Sequence, residues 1–525
     1  MEKEPGPHRI LIKHFLNRLF DSDLVSAGGS LRDSAITTVS LLAATGVIIA
    51  YTTMMKHWFT NARTPLAIRE AMAWSDREFM ISISMAVTAA LAVLCWESVF
   101  PDSRDCLILT SLPIRGSSII AAKLAVLGLV LATATVSLNF ATSFFFPIAM
   151  MTSGGVSEGL RFTAGHFLAV GAASLFAFVS MLAAHAALAN LLPFRVFQRV
   201  SAWVQLAALF GVLFLFFVIP PIATFARLTD PANRQPALWL PPFWFLGLYQ
   251  EILGTRHPFI HELAARAMWA LGIAVATAAL LYAAGYRRIM RRTIEESGAV
   301  GESGRRRWTR VTALIDGAWL GRPSERAAFH FVWRTMTRHR GHRLMLAAYA
   351  ALGLVYLVDG VASLVNRSGG RALMSPNTQL SAFPLVLPFF VLLGLRALFS
   401  VPVELPSNWL FRLTETGRAI DYVTGARKLM TLAGVAPACL LSLPFYGFLW
   451  GWRVALTHEA MCVLIALTTL EVLMAGFPKV PFTCPFLPGQ GNLKVTFATY
   501  VVLFLSIAYL LIHVELWMAL DGQRG

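Results

Sequence analysis

Charged residues are scarce in this chain. Only 14% of its 525 residues are Asp, Glu, Lys or Arg, whereas 57% are hydrophobic and the mean hydropathy is +0.63. Soluble globular domains carry about 25% charged residues, so the composition excludes an ordinary soluble protein. The sequence therefore predicts an integral membrane protein.

Cysteine is also rare, and its placement predicts neither disulfides nor a metal centre. The cysteines are Cys95, Cys106, Cys439, Cys462 and Cys484. No CxxC pair occurs, no His/Cys spacing suits zinc, and all five fall in predicted spans or predicted cytosolic loops. We therefore expect no bound metal ion.

Catalytic motifs are missing as well. The nearest segment to a phosphate-binding loop, GSSIIAAK at 116–123, lacks the second glycine and the Ser or Thr after the lysine. Its one GxSxG match, GVSEG at 155–159, precedes a predicted span instead of joining a strand to a helix, and no HExxH or DxDxDG motif occurs. We expect no catalytic residues, no directly bound cofactor and no ATP hydrolysis through such a loop, so the chain is not predicted to be an enzyme.

Long apolar runs, in contrast, are abundant. Crossing a hydrocarbon core takes about 20 helical residues, and about eleven segments are long enough. They cover residues 35–55, 79–99, 117–146, 165–191, 201–225, 264–286, 344–365, 380–400, 429–450, 458–476 and 495–516. Helices are favoured because they satisfy their own backbone polar groups in lipid, and the alternating pattern of barrel strands is missing. The predicted fold is all-α and polytopic, with 11 to 12 transmembrane helices.

The distribution of basic residues predicts a cytosolic N-terminus. The residues before the first span are polar or amphipathic and include acidic side chains, unlike a cleaved secretory signal. With the N-terminus inside, the predicted inside segments carry more than twice as many Lys and Arg as the outside ones. Lys56, Arg63, Arg69 and Arg77 are exceptions on one predicted outside loop. The net charge of +16 is explained by orientation and lipid headgroups rather than by nucleic acid.

One segment rich in basic residues predicts the domain organisation. It begins RRIMRRTIEESGAVGESGRRRWTR at residue 287, and its Gly, Ser and Glu centre is typical of a flexible linker. The predicted division is a first transmembrane half at 1–286, a basic flexible cytosolic linker at 287–325, and a second transmembrane half at 326–525.

Each half is predicted to begin with a basic amphipathic helix in the plane of the membrane. Apolar residues share one helical face in both segments, with basic residues on the other face. The apolar residues are Ile12, Phe15, Leu16, Leu19 and Phe20 in the first half, and Phe329, Val332, Trp333 and Met336 in the second.

The second span of each half is followed by a charged loop, and the two loops are alike. Residues 101–123 and 402–428 each begin with acidic or polar residues, continue through an apolar stretch and an arginine, and end at Lys123 or Lys428. This order predicts two internal pseudo-repeats. A chance alignment of hydropathy peaks is the alternative interpretation. A Pro- and aromatic-rich segment before the sixth span, with Trp239 and Phe243, predicts short interfacial or re-entrant helices.

Few ionisable residues lie within the predicted spans. Glu97 and Arg396 lie near the cytosolic ends of the second and eighth spans, where they could form a salt bridge or extend to the interface. Asp359 and Glu471 are interpreted as isolated carboxylates without a basic partner. They are candidates for a proton or cation pathway.

The order of these elements resembles the permease subunit of a type-2 ABC exporter in its long, duplicated form. The loop LTSLPIRGSSIIAAKL at 109–124 is similar to the family's loop between the second and third spans, and NWLFRLTE at 408–415 resembles a stretch of the long members. In that family this loop forms a coupling helix that docks into a cleft of a separate ATPase subunit. The ending after an eleventh span and the fusion of two halves depart from the usual pattern.

The resemblance implies a function and a set of partner-binding residues. It implies a bacterial inner-membrane permease that exports a substrate, couples to a separate ATPase that uses the ATP, contacts membrane lipids and binds no nucleic acid. A homodimer and a fused pseudo-dimer both fit the pattern. The implied coupling residues are Asp102, Arg104, Asp105, Leu112, Pro113 and Arg115 in the first loop, and Glu404, Asn408, Trp409, Arg412 and Glu415 in the second.

Two other functions remain open at this point. A secondary transporter would use an ion-coupled site between the repeats, near the middle of the membrane. A membrane scaffold or accessory protein would bind a partner through the loops and transport nothing.

Overall fold

A computed structural model describes most of the helical parts of the chain. The described residues are 7–20, 31–60, 64–96, 108, 112, 114, 116–150, 155–217, 219, 222–296, 316–317, 319–368, 374–401, 419–475, 477, 480–483, 500, 503–504, 506–508 and 510–512. They are almost entirely helical, and no strand occurs among them. The expectation of an all-α fold is confirmed.

The helices form two compact units along the chain. The first unit contains α1 (Pro7–Phe20), α2 (Leu31–Thr60), α3 (Leu66–Leu94), α4 (Gly116–Met150), α5 (Gly155–Leu191), α6 (Phe194–Phe217), α7 (Phe225–Leu228), α8 (Arg234–Trp239), α9 (Pro241–Leu253) and α10 (Pro258–Glu296). The second unit contains α11 (Pro323–Arg338), α12 (Arg340–Ser368), α13 (Thr378–Ser381), α14 (Phe383–Leu398), α15 (Ala419–Met430), α16 (Ala436–Trp450) and α17 (Trp452–Met474). A π-helical turn at Thr431–Val435 joins α15 to α16.

Nine segments of the described chain are long and apolar enough to cross a membrane. They are Thr38–Phe59, Leu66–Leu94, Ser118–Met150, Ser157–Leu191, Pro258–Gly285, Gly341–Val358, Thr378–Leu398, Ile420–Trp450 and Trp452–Met474. A multi-pass membrane protein is therefore supported. The predicted fifth span falls on α6, whose apolar part, Trp203–Phe217, is shorter, and much of the predicted eleventh span lies outside the described residues.

The second span begins earlier than predicted. Helix α3 starts at Leu66 rather than at 79, so Arg69 and Arg77 belong to a helix and not to a loop. The first turns contain five charged residues, which lower the local hydropathy from which the span was predicted. Packing nevertheless buries Trp74 and Arg77. Similarly, α10 continues to Glu296, so residues 287–296 of the predicted linker are helical.

The core of the first unit is built around the short helix α9. Phe243, Phe245, Leu246 and Tyr249 are completely buried there, because α3, α5 and α10 pack around them. Short helices are thus found where the aromatic-rich segment predicted them. Trp239 is 78% exposed at the end of α8, so this ring lies on the surface while α9 is enclosed.

The core of the second unit is built around α14. Phe389, Leu392, Leu395 and Leu398 are buried, and α12, α15 and α17 supply the neighbouring apolar side chains. Phe389 also stacks on Phe504, with ring centroids 3.8 Å apart. The aliphatic composition of α14 explains its central position, since nearly every face of the helix is apolar.

The two units share part of their internal packing. The amphipathic helix packs against the helix that follows the charged loop in both units, as α1 on α4 and α11 on α15. In addition, α3 packs against α5 as α14 packs against α17. The first long helix differs, because α2 packs mainly on α4 whereas α12 packs mainly on α14. The repeat in packing is therefore partial.

Candidate functional site

The charged loops themselves lie mostly outside the described residues. Of the implied coupling residues, Leu112 is described, and it is 46% exposed. The carbonyl of Leu112 accepts a hydrogen bond of 2.7 Å from the amide of Ile114. The coupling residues outside the described chain are Asp102, Arg104, Asp105, Pro113, Arg115, Glu404, Asn408, Trp409, Arg412 and Glu415.

The helix that follows the first loop is attached to α1. Leu11 and Phe15 of α1 are buried against Ile119, Ala122 and Val126 of α4, and Ile114 joins the same apolar cluster. Lys123 Nζ lies 4.9 Å from the centroid of the Phe15 ring, which is a cation–π contact. The C-terminal end of the first loop is thus held by an amphipathic helix.

The helix that follows the second loop is attached to α11 by charged groups. Arg322 donates to Asp421 Oδ1 at 2.7 Å, and Ser324 Oγ donates to Asp421 Oδ2 at 2.8 Å. Lys428 Nζ lies 2.5 Å from Glu325 Oε1 and donates to the carbonyl of Trp319 at 2.6 Å. We call these contacts the α11–α15 clamp.

A glycine permits this close approach. A Cβ atom at Gly425 would lie 2.6 Å from the backbone oxygen of Glu325 and 3.0 Å from the Cβ of Ala328. Any larger side chain would separate α15 from α11.

The contacts of Lys123 and Lys428 also show that the two lysines aligned from sequence both reach an amphipathic helix. Asp421 and Glu325 were missed, since hydropathy does not identify partners distant in the chain.

Arg396 is held within the second unit. Its Nε donates to the carbonyl of Leu473 at 3.0 Å, and Nη1 donates to Ser400 Oγ at 3.1 Å. The guanidinium carbon lies 4.2 Å from the centroid of the Phe477 ring. Glu97 lies outside the described residues, so the suggested salt bridge stays a prediction.

Glu471 has a basic partner, which corrects the interpretation of an isolated carboxylate. Its Oε2 lies 3.2 Å from Arg427 Nη2, and its side chain is 58% exposed. The pair was missed because Arg427 is on a different helix. Asp359 lies on α12, and its side chain is outside the described part of the structure.

A buried carboxylate occurs instead at Glu459, which was not selected from the sequence. Both of its oxygens lie 3.0 Å from Ser442 Oγ on α16. The residue is 6% exposed, and no ion pair involves it among the residues described. His458 precedes it and contacts Cys462 at 3.5 Å.

A second buried charge lies in the first unit. Arg77 is 6% exposed, and its guanidinium carbon lies 5.8, 5.7 and 5.3 Å from the ring centroids of Phe146, Phe162 and Tyr249. Burial raises the pKa of the Tyr249 phenol to about 12, although the neighbouring Arg77 opposes this increase. The phenol therefore stays neutral. Arg77 was predicted to lie in a loop, but it lies in a helix because α3 begins at Leu66.

The residue before Arg77 carries the opposite charge and is already paired. Asp76 Oδ1 accepts from Lys56 Nζ at 2.7 Å, and Asp76 Oδ2 lies 2.7 Å from His57 Nε2. His57 is fully buried. These contacts join the C-terminal end of α2 to α3.

Within the described chain, no group of three or more His, Cys, Asp or Glu side chains is arranged to hold a metal ion. Comparison with protein-family models, with curated proteins and with solved structures found no match. The function of the chain is therefore inferred from its own geometry and from the resemblance in its sequence.

Proposed function

We propose that this chain is the membrane-spanning permease subunit of an ATP-driven export system of the type-2 ABC class. A separate ATPase subunit binds and hydrolyses the ATP, and this chain forms the pathway. The observation that supports the proposal best is the attachment of the helix after each charged loop to an amphipathic helix. It occurs through Phe15 and Lys123 in the first unit and through Glu325 and Lys428 in the second.

These attachments suit the transmission of force. A loop that receives a push from a soluble motor moves a transmembrane helix only if the junction between them is stiff. The α11–α15 clamp supplies two charged contacts over the first three turns of α15, and the Leu11–Phe15 cluster supplies apolar packing in the first unit. In the proposal, Leu112 and Pro113 enter an apolar cleft of the ATPase, and Arg115 and Arg412 set the register by charge.

The proposed location is the cytoplasmic membrane of a bacterium, with the N-terminus and both loops in the cytosol. The distribution of Lys and Arg supports this orientation. The proposal includes eleven spans in two pseudo-repeats, with α1 and α11 lying in the plane of the membrane. The basic outer faces of these helices suit anionic headgroups.

Copurification tests the proposed partner. The tagged full-length chain is expressed in its own host, extracted in mild detergent and purified, and its partners are identified by mass spectrometry. We expect a subunit with a phosphate-binding loop in about stoichiometric amount. Arg115→Glu and Arg412→Glu should each reduce its recovery about tenfold or more, because they reverse a charge in the contact.

Arg453→Glu is the matched control, because Arg453 is exposed on α17 at the end predicted to face outward. It should leave recovery unchanged. Equal recovery with all three variants would contradict the proposed loops, as would labelling of residue 112 or 412 from the exterior. An ATPase that binds but whose turnover no transport substrate alters would favour a scaffold.

A secondary, ion-coupled transporter is the second candidate, and Glu459 is the observation that favours it. Buried acids in spanning helices commonly mark proton or cation pathways. If this function holds, Glu459→Gln should abolish proton flux into proteoliposomes, measured with an enclosed pH-sensitive dye. Glu471→Gln, which changes an exposed and paired acid, should leave the flux intact. Absence of flux in the wild-type protein would reject this candidate.

A further inference from the structure

Arg77 carries a buried guanidinium group that forms no ion pair within the described chain. It lies inside α3, surrounded by rings from α4, α5 and α9, and is more than nine-tenths buried. Rings stabilise a cation through their π faces, and the Tyr249 hydroxyl oxygen can accept a hydrogen bond from Arg77, but neither supplies a negative charge. A buried charge normally requires both a counter-charge and hydrogen-bond partners.

The nearby carboxylates do not provide the counter-charge directly. Asp76 and Glu70 interact electrostatically with Arg77 at longer range, but neither forms an ion pair with it in the described chain. Asp76 instead contacts Lys56 and His57. Asp76 is therefore already paired with two other basic side chains.

A second polar group with a free ring nitrogen lies beside Arg77. His166 is completely buried, and its ring contacts two of the three rings around Arg77, with centroid distances of 6.2 Å to Phe146 and 5.7 Å to Tyr249. Its Nε2 lies 3.3 Å from Thr142 Oγ1. Among the described residues, neither His166 Nδ1 nor Arg77 Nε has a hydrogen-bond partner. Arg77 Nε can donate, and His166 Nδ1 can donate in the tautomer in which Nε2 accepts from Thr142 Oγ1, whose hydroxyl otherwise donates to the Asn139 carbonyl. Both nitrogens lie in one aromatic enclosure.

We propose that Arg77 and His166 form a buried binding site for a phosphate group. The planar guanidinium offers paired donors that match the oxygens of phosphate, and His166 Nδ1 adds a donor in one tautomer. The rings of Phe146 and Phe162 exclude water and can pack on apolar parts of the same ligand. The phosphate comes either from a lipid headgroup or from free phosphate. This binding requires no ATPase, so it stands apart from the proposed permease function.

Equilibrium binding to the purified full-length chain, in phosphate-free detergent buffer, tests the site. One arm uses radiolabelled inorganic phosphate. The other uses fluorescent phosphatidylglycerol, with a galactosyl diacylglycerol as the matched lipid that lacks phosphate. Arg77→Gln should weaken the binding of whichever probe the wild-type protein binds by about tenfold or more, because a charge-assisted hydrogen bond is lost. Arg77→Lys should retain part of the affinity, and His166→Gln should lose less than Arg77→Gln.

Arg161→Gln is the control, because Arg161 is an exposed arginine on the same helix as His166. The Arg161→Gln variant should bind the probe with the same affinity as the wild-type protein. Binding of phosphatidylglycerol but not of the galactolipid would assign the lipid source, and saturable binding of inorganic phosphate would assign the free anion. Binding of neither probe, or binding unaffected by Arg77→Gln, would overturn the proposal.

A thermal-stability measurement separates ligand binding from a purely structural role. Arg77→Met keeps a long chain against the rings and removes the charge. For a binding site, this variant should melt no lower than the wild type without ligand, and ligand should no longer raise its melting temperature. A lower melting temperature without ligand, together with a wild type that ligand fails to stabilise, would instead assign a structural role. If Arg77→Met does not fold, the binding ratios of Arg77→Lys and His166→Gln decide the question.

Discussion

Replacing Glu325 with lysine is expected to destabilise the second unit by about 2 kcal/mol, between the cost of breaking an exposed ion pair and that of breaking a buried one. The Glu325 side chain is 8% exposed and lies against Lys428. The variant would place two ammonium groups together at the α11–α15 clamp, and because the Lys428 side chain is 29% exposed, water screens their repulsion only in part. Thermal or denaturant unfolding of the detergent-purified chain measures the loss.

Exchanging the two charges provides the control for this effect. The double variant Glu325→Lys, Lys428→Glu restores an ion pair and should recover at least half of the lost stability. Glu471→Lys disrupts an exposed pair and should cost about 1 kcal/mol or less. Equal losses of stability for Glu325→Lys and Glu471→Lys would show that the clamp stabilises the protein no more than an exposed ion pair does. If the clamp also stiffens the second loop, Glu325→Lys should reduce ATPase recovery as well.

Replacing Gly46 with leucine is expected to separate α2 from α4, at a cost of about 3 kcal/mol. Any Cβ atom at this position would collide with the backbone carbonyl of Leu138. The obstacle is main chain, so a change of rotamer cannot relieve it. Small residues permit such close helix contacts in membranes, where packing rather than the hydrophobic effect drives helix association. The same unfolding measurement should show a clear decrease in melting temperature.

Gly128→Leu on α4 is the matched control, because nothing lies within contact distance of a Cβ atom there. Its melting temperature should be equal to or slightly above that of the wild type, since leucine has the higher helix propensity. If Gly46→Leu and Gly128→Leu unfold alike, the close crossing of α2 and α4 is not a feature of the protein in solution.

The positions of most long helices follow from hydropathy, whereas their ends do not. The predicted span 117–146 corresponds to α4, and 165–191 lies inside α5. The predicted start of α3 was wrong because a run of charged residues was interpreted as a loop. Hydropathy averages over a window, so it cannot recognise that neighbouring helices bury Arg77 beneath three aromatic rings.

For the candidate sites too, some features followed from the sequence, whereas partners and burial did not. The lysines at the ends of the two charged loops were aligned from sequence, and both contact an amphipathic helix. Glu471 was predicted to lack a basic partner, and Arg427 contradicts this. Glu459 was not selected at all, although it is the more buried acid. The partner and the burial of a side chain depend on residues of other helices, and the sequence pattern of one helix contains no information about them.

The amino-acid sequence alone determined that this chain is helical and belongs in a membrane. Transfer of a helix into hydrocarbon depends on the summed contributions of about 20 consecutive residues, so it is a local property that needs no knowledge of the fold. Only the tertiary structure decided which charges are buried and which are paired. Arg322 and Asp421 are 99 residues apart in the chain, and their contact exists because α11 and α15 pack together.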